Sequence, residues 1–486
     1  MLDFDPNIVP IPCGHFIDGA LVSAPGALDV RRPYDGAAYA ALPCADLEAV
    51  DRAVRSAATA FSASGWGRRA PRDRARVLRR WAELIETHAG ELARLESVGS
   101  TRPVAQATGW DVPTLAETLR FFSELADKHG GEVAATQHDR LGMTLTEPYG
   151  VVGAIVPWNY PLVMAGWKVA PALAAGNAVV LKPSEMTPFS VVRFAELGIE
   201  AGLPAGIFNI VQGDGATTGE QLVRHPNVAK MTFTGSTRAG QAIMAACAQQ
   251  GPKPVTLELG GKSPQLVFAD ADLDLAATCI ASSMLGNAGQ TCVTGSRLIL
   301  HESIRDALVA RIVEKTRSIV PGPTWSGATN FPPIISDRQH QRVDALVQET
   351  IRSGAEVVLG GHALDEVFYA PTILAHVHAE MPAVREEVFG PVLTVQSFAD
   401  EDDGIALASH PIYGLAAGVY SRDISQALRA VRRLESGTVW VNRYGRSDDF
   451  VIPTGGYKQS GFGKDLGREA FAANQRVKSV LIGIGA

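Results

Sequence analysis

Short apolar runs alternating with helical segments fill the middle of this chain and leave few folds open to it. GVVGAIVPW (150–158), AGNAVVLKPSE (175–185), IFNIVQG (207–213) and VAKMTFTG (228–235) are each followed by a stretch of helical periodicity. These runs are apolar almost throughout rather than at every second residue. Strands of that kind are buried on both faces, as in a parallel sheet covered by helices. The first such sheet spans roughly 150–257. A second alternation, from about 258 to 460, contains SPQLVFAD, SRLILH, AEVVLGG, PVLTVQSF, LAAGVYS and GTVWVN. The expected class is therefore α/β, with two separate lobes. Upstream, Asp46 is placed to cap a helix bearing Val50, Val54, Ala57 and Phe61. A second helix follows Pro71, with Val77, Trp81, Leu84 and Ile85 on one face.

At 486 residues the chain exceeds a single core, and its length allows about three domains. Two segments belong to neither lobe: 129–150, with strand-like alternation, and the apolar C-terminal run RVKSVLIGIGA. Left bare, such edges aggregate, so both are expected to be arms that pair within or between subunits of an oligomer. The net charge of -7 gives no basic footprint for nucleic acid or an anionic membrane. Cys13, Cys44, Cys247, Cys279 and Cys292 are widely spaced without a C-x-x-C. They read as reduced thiols of a cytoplasmic protein, not as disulfides or a metal site. The N-terminus lacks the basic-then-apolar pattern of a signal peptide. Tyr149 to Trp167 is uncharged over about the length of a membrane span, but Pro157, Asn159 and Pro161 interrupt it. A strand, a loop and a helix start fit it better.

The chemistry gathers in a few segments. In GNAGQTC (286–292), Cys292 ends a loop of small residues that can expose a thiol and direct backbone N–H groups at an oxyanion. The commoner fate of a free cysteine is a buried small hydrophobe, which suits Cys247 and Cys279. In VTLELGGKSP (255–264), Glu258 sits among Val255, Leu257 and Leu259. A lone Glu is usually a solvated charge, whereas on a buried strand its pKa rises and it becomes a base for water. In PWNYP, Asn159 is braced by two prolines, either as a turn residue or as a rigid amide donor. LKPSE sets Lys182 and Glu185 at the carboxyl end of a buried strand, where ligands of open parallel sheets bind. Lys182 can bond an adenosine ribose, and Glu185 can accept from its hydroxyls while repelling a 2′-phosphate. FTGSTRAG (233–240) ends a strand and opens a helix whose N-terminus can face a pyrophosphate.

Together with FIDG near Phe16, EEVFGP (386–391) and GGYKQSG (455–461), these motifs occur in order along nearly the whole chain. The chain resembles the aldehyde dehydrogenase superfamily. The resemblance implies a Rossmann-like NAD-binding domain (1–127 and 149–257), an α/β catalytic domain (258–460) and a small β oligomerisation arm (128–148 and 470–486). It implies Cys292 as nucleophile, Asn159 and the backbone N–H of Cys292 as oxyanion donors, and Glu258 as the base that hydrolyses a thioester. The cofactor implied is NAD, with NADP possible. Around it would lie Pro157, Trp158, Lys182, Ser184, Glu185, Gly215, Phe233, Gly235, Ser236, Leu259, Glu387 and Phe389. No metal is implied. The implied partners are a small-molecule aldehyde and further copies of the chain, in a homodimer or homotetramer.

The expected substrate-tunnel residues are Trp158, Met164, Trp167, Tyr444 and Phe450, each as readily explained by plain core packing. Thr454 stands where the family often has Phe, which implies a thinner aromatic wall. The segment 321–335 also departs from the family pattern. Trp167 replaces the Arg that succinic semialdehyde enzymes carry after PWN, an argument against an acidic substrate. Arg446, Asp448 and Asp449 precede Phe450. Acidic groups beside aromatics suit a cationic aldehyde, and the segment resembles that of the γ-glutamyl-aminobutyraldehyde type, although solvated loop charges account for it better. CoA-acylating relatives typically lack a base at the Glu258 position. A cysteine esterase, or a structural protein that reuses the fold as some lens crystallins do, is the competing reading.

Overall fold

The computed structural model describes residues 2–446 and 449–484. Its two large sheets follow the two alternations. The first has 8 strands, in the order Ala20–Val22, His15–Ile17, Phe208–Ile210, Ala178–Lys182, Val151–Ile155, Lys230–Thr234, Val255–Glu258 and Gly461–Phe462. Its five central strands are mutually parallel. The strand Val151–Ile155 is followed along the chain by its neighbours on one side, and Lys230–Thr234 then returns to its other side. The order reverses there, so the loops after these two strands diverge and leave a crevice at their carboxyl ends. Those loops begin at Val156 and Gly235.

The second sheet has 7 strands, in the order Glu356–Leu359, Thr372–Ala375, Val392–Phe398, Arg297–His301, Pro264–Val267, Ala416–Tyr420 and Thr438–Val441. All its pairings are parallel except that of the edge strand Glu356–Leu359.

Local rules account for the helices. Asp46 accepts from the backbone N–H of Ala49 and caps Leu47–Ala63. Pro71 occupies the first turn of Pro71–Thr87, where no N–H is required. On that helix Trp81 is fully buried; its ring stacks on Phe194 at 4.3 Å and its indole N–H donates to the Phe194 carbonyl at 2.9 Å. The uncharged stretch 149–167 is the strand Val151–Ile155, a loop and the start of helix Pro161–Ala174, which is buried over its whole length. Among the described residues no helix is long and apolar enough to cross a membrane.

Outside the lobes, Arg140–Pro148 pairs antiparallel with Gln475–Gly483 along its length, and Val133–Ala134 adds a short third strand. The two predicted arms thus pair with each other within one chain. Val133, Val477 and Leu481 remain 74%, 68% and 65% exposed.

Candidate active site

A cavity of about 910 Å³ lies between the two sheets. Its floor is made by the crossing from one lobe to the other. Glu258 is the last residue of its strand, and Leu259, Gly260 and Gly261 carry the chain onward. The carboxylate of Glu387 comes so close that a Cβ on Gly260 would lie 2.3 Å from its Oε2. The backbone N–H of Gly261 donates to Glu387 Oε1 at 3.0 Å. A Cβ on Gly261 would lie 2.7 Å from the carbonyl oxygen of Cys292. The Gly-Gly pair therefore lets two carboxylates and the cysteine loop share one space.

The cysteine loop is held in an unusual backbone. Asn287 and Ala288 both have φ of 50° and Gly289 has φ of 71°. For non-glycine residues this conformation is costly and persists only when its surroundings impose it. Side chains impose it here. Thr101 Oγ1 donates to Asn287 Oδ1 at 2.8 Å, and Asn287 Nδ2 donates to the carbonyl of Asn159 at 3.1 Å. Gln290 donates to the carbonyls of Asn287 and Pro333 and accepts from the N–H of Ile335. Segment 321–335, flagged in the sequence as atypical, thus buttresses the loop. Asn159 Nδ2 donates to the Gln290 carbonyl at 3.0 Å, which sets that amide beside the cysteine loop.

The electrostatics follow from burial. Burial pushes the Cys292 thiol up to about 11, and the guanidinium of Arg446 pulls it back down. Burial, and after it the charge of Asp465, holds the Glu258 carboxyl well above the ordinary range; Lys168 and Arg446 oppose this. Glu258 Oε1 is buried without a hydrogen-bond partner. Glu387 is raised to about 7, again by burial.

Of the residues expected at the site, Cys292, Glu258, Asn159, Pro157, Trp158, Gly235, Ser236, Leu259, Glu387, Phe389, Met164, Trp167 and Tyr444 line this cavity. Trp158 and Phe389 meet edge to face at 5.3 Å. Lys182, Ser184, Glu185 and Gly215 stand apart from its lining. Lys182 Nζ donates to the carbonyls of Pro183 and Gly213 at 2.7 Å and lies 3.5 Å from Glu185 Oε2. Met186, one residue on, does line the cavity. Phe233 packs its ring under Gly235.

Phe450 corrects the tunnel reading. It is buried in the core of the first lobe and stacks on Phe121 at 6.4 Å, because that apolar surface claims its ring. Thr454 is likewise outside the lining. Asp449 is held by Arg443 at 3.1 Å, and Asp448 lies outside the described residues. Among the described residues of that loop, the charged one lining the cavity is Arg446, whose guanidinium sits 4.4 Å from the Trp167 ring. Cys247 is buried as expected, whereas Cys279 is only partly so.

Sequence reasoning passed over the buried pair Lys168–Asp465 and over Arg102, which pairs with Asp111 at 2.8 Å and lies over the Tyr160 ring. Tyr160 in turn bonds Thr291 at 3.0 Å. No local pattern marks these links.

The model of the aldehyde dehydrogenase family matches residues 22–480, and the chain belongs to that family. Similar solved structures include an indole-3-acetaldehyde dehydrogenase in complex with NAD+, 40% identical with a TM-score of 0.96 over 98% of each chain. Another is a gamma-glutamyl-gamma-aminobutyraldehyde dehydrogenase from Burkholderia cenocepacia, 41% identical with a TM-score of 0.96, covering 99% of this chain and 98% of that one. The cytosolic 10-formyltetrahydrofolate dehydrogenase of Xenopus tropicalis is 41% identical over 484 residues, 98% of this chain. The chain spans only 54% of the length of that relative.

Proposed function

We propose that this protein oxidises an aldehyde to the carboxylic acid with NAD, through a covalent thioester on Cys292 that water hydrolyses. The observation that carries the reading is the meeting of a thiol and an unpartnered buried carboxylate in one cavity, on a glycine crossing that brings them together. We assign 1–127 and 149–257 to cofactor binding, 258–460 to catalysis, and 128–148 with 470–486 to assembly as a homodimer or homotetramer. The unpaired cysteines suit a reducing compartment, and we place the protein in the cytosol.

The cavity runs to the carboxyl ends of the strands at the reversal point, beside the N-terminus of helix Thr237–Gln249. That is where a dinucleotide's pyrophosphate is best held. Gly235, Ser236, Trp158, Leu259, Phe389 and Glu387 would line it there. Lys182 and Glu185 would take the adenosine ribose, with Glu185 disfavouring a 2′-phosphate. When bound, the nicotinamide supplies a hydride acceptor.

The chain's own groups do the rest. The Cys292 thiolate adds to the aldehyde carbon, and its C–S bond gives a thiohemiacetal. The Asn159 amide, released from the Gln290 carbonyl, and the Cys292 N–H stabilise the developing oxyanion. After loss of hydride the carbon is a thioester. Glu258 takes a proton from water, the hydroxide adds to the thioester carbon, and the C–S bond breaks to return the thiolate. A base at Glu258 favours water over CoA as acceptor.

The test is NADH formation across straight-chain, aromatic and amino-substituted aldehydes, by the wild-type protein and by Cys292→Ala. Turnover lost in the variant, with NAD binding retained, is the expected result. Turnover that survives the substitution would overturn the reading.

A further inference from the structure

Within the cavity, most charged groups are already engaged. Lys168 holds Asp465 at 2.7 Å, Arg102 holds Asp111, and Arg342 donates to the carbonyl of Glu387 at 2.8 Å. Arg238 and Arg338 are exposed at the solvent side. Arg446 differs. Among the described residues no carboxylate lies within ion-pair distance of it, and its Nη1 is buried without a hydrogen-bond partner. The indole nitrogen of Trp167, in contact with that guanidinium, is also buried and unpartnered. Two unmet donors on one wall, one of them cationic, are expensive to leave without an acceptor. The other polar group of this wall, the Tyr444 hydroxyl, is satisfied by the Val293 carbonyl at 2.7 Å.

The geometry points to Arg446 and Trp167 as a carboxylate-binding subsite, so that the aldehydes this enzyme prefers carry an anionic carboxylate at the end remote from the reacting carbonyl. This rests on the aldehyde-oxidising reading above and narrows its substrate class. A planar guanidinium suits a carboxylate because it can give two parallel N–H bonds. A stacked aromatic ring fixes the guanidinium plane and limits its loss of freedom on binding. The charge absent at position 167 is thus supplied from 446, on the face of the indole that replaces it. Asp449, the described aspartate of that loop, lies outside the lining and is engaged by Arg443. Oxidation of such a substrate yields a dicarboxylate, so the product keeps the Arg446 contact.

The experiment compares straight-chain aldehydes of equal length ending in a carboxylate, in its primary amide or in a methyl group. The wild-type enzyme is expected to favour the carboxylate over the amide in kcat/KM by about 10- to 100-fold, the worth of a hydrogen bond to a charged group. Arg446→Gln lowers kcat/KM for the carboxylate by a similar factor, mainly through KM. It lowers the amide less, so the ratio collapses. Arg446→Lys restores part of it. The corresponding dicarboxylate should inhibit the wild type competitively and the Gln variant about 10-fold more weakly. If Arg446→Gln does not fold, the wild-type ratio and the dicarboxylate inhibition decide alone. A wild-type ratio near one, or equal losses for all three aldehydes in the variant, would overturn the assignment while leaving aldehyde oxidation intact. No NADH from any of the three would instead sink the reading on which it rests.

Discussion

Lys168 Nζ donates to both carboxylate oxygens of Asp465, at 2.9 and 2.7 Å, across 297 positions of sequence. The lysine comes from the fully buried helix of the first lobe and the aspartate from the segment that follows the GGYKQSG turn. Neither has appreciable access to water, so each is the other's main polar partner.

Removing one partner therefore strands the other. Lys168→Met is expected to destabilise the protein by about 3–5 kcal/mol, the cost of an uncompensated buried carboxylate. Denaturant unfolding would reveal it; a loss within experimental error would mean that Asp465 finds another partner or water once the lysine is gone.

The same aspartate raises the pKa of Glu258. A base works only when deprotonated, so a raised pKa moves the acidic limb of kcat to higher pH. Asp465→Asn removes that repulsion and leaves Lys168 to favour the carboxylate, so the limb should move to lower pH. With the Cys292 thiol pushed up to about 11, kcat/KM in the wild type should climb roughly tenfold per pH unit on the alkaline side of neutrality while thiolate formation limits attack. A flat profile from about pH 7 to 9 would contradict that thiol environment.

Glu258→Gln should separate the two half-reactions. The first turnover releases about one NADH per site, after which the enzyme stalls as the thioester, with kcat reduced by about 10²–10⁴-fold. Rapid-mixing absorbance and intact mass of the protein would show the burst and the adduct. Steady turnover at the wild-type rate would assign the base elsewhere.

Asn159→Ala deletes one oxyanion donor and is expected to lower kcat by about 10²–10³-fold. Asn287→Ala should also reduce activity, although it donates to the Asn159 carbonyl rather than to substrate, because it releases the strained backbone before the cysteine. Its effect should be accompanied by a lower Tm, whereas that of Asn159→Ala need not be.

How far this site is legible in the sequence depends on distance along the chain. Cys292, Glu258 and Asn159 are visible because each sits in a short pattern whose physics is local: small residues before a thiol, an apolar strand around a carboxylate, prolines around an amide. Lys182 and Glu185 are marked by the end of a buried strand, itself a local signal, yet they lie outside the cavity lining. Lys168 with Asp465, and Arg102 with Asp111, carry no such mark, since an isolated charge reads as a solvated one until the fold buries it. Phe450 shows the converse. An aromatic in a loop beside the site looks like tunnel wall, yet the buried surface around Phe121 takes the ring, and Arg446 from the same loop enters the cavity instead.

The paired arms give a prediction about assembly. Apolar strand faces as exposed as Val477 and Leu481 are aggregation hazards unless covered. Val477→Asp with Leu481→Asp should convert the protein to a smaller species by light scattering at micromolar concentration. A wild-type protein that is already monomeric under those conditions would remove the basis for the arm.

Glu258 is pinned from its far side by the short antiparallel pairing of Leu257 with Phe462 and of Glu258 with Gly461. The strand that bears the proposed base is thus clasped by residues laid down some 200 positions later, after the whole second lobe has been built. The two lobes are stitched twice, once by the glycine crossing and once by this return. A protease cut near residue 260 would nick the molecule without releasing halves. A chain shortened before Gly461 would keep every residue of the GNAGQTC loop and still lose the clamp that holds its partner carboxylate. During synthesis, the strand partner of the proposed base therefore emerges only after the whole second lobe.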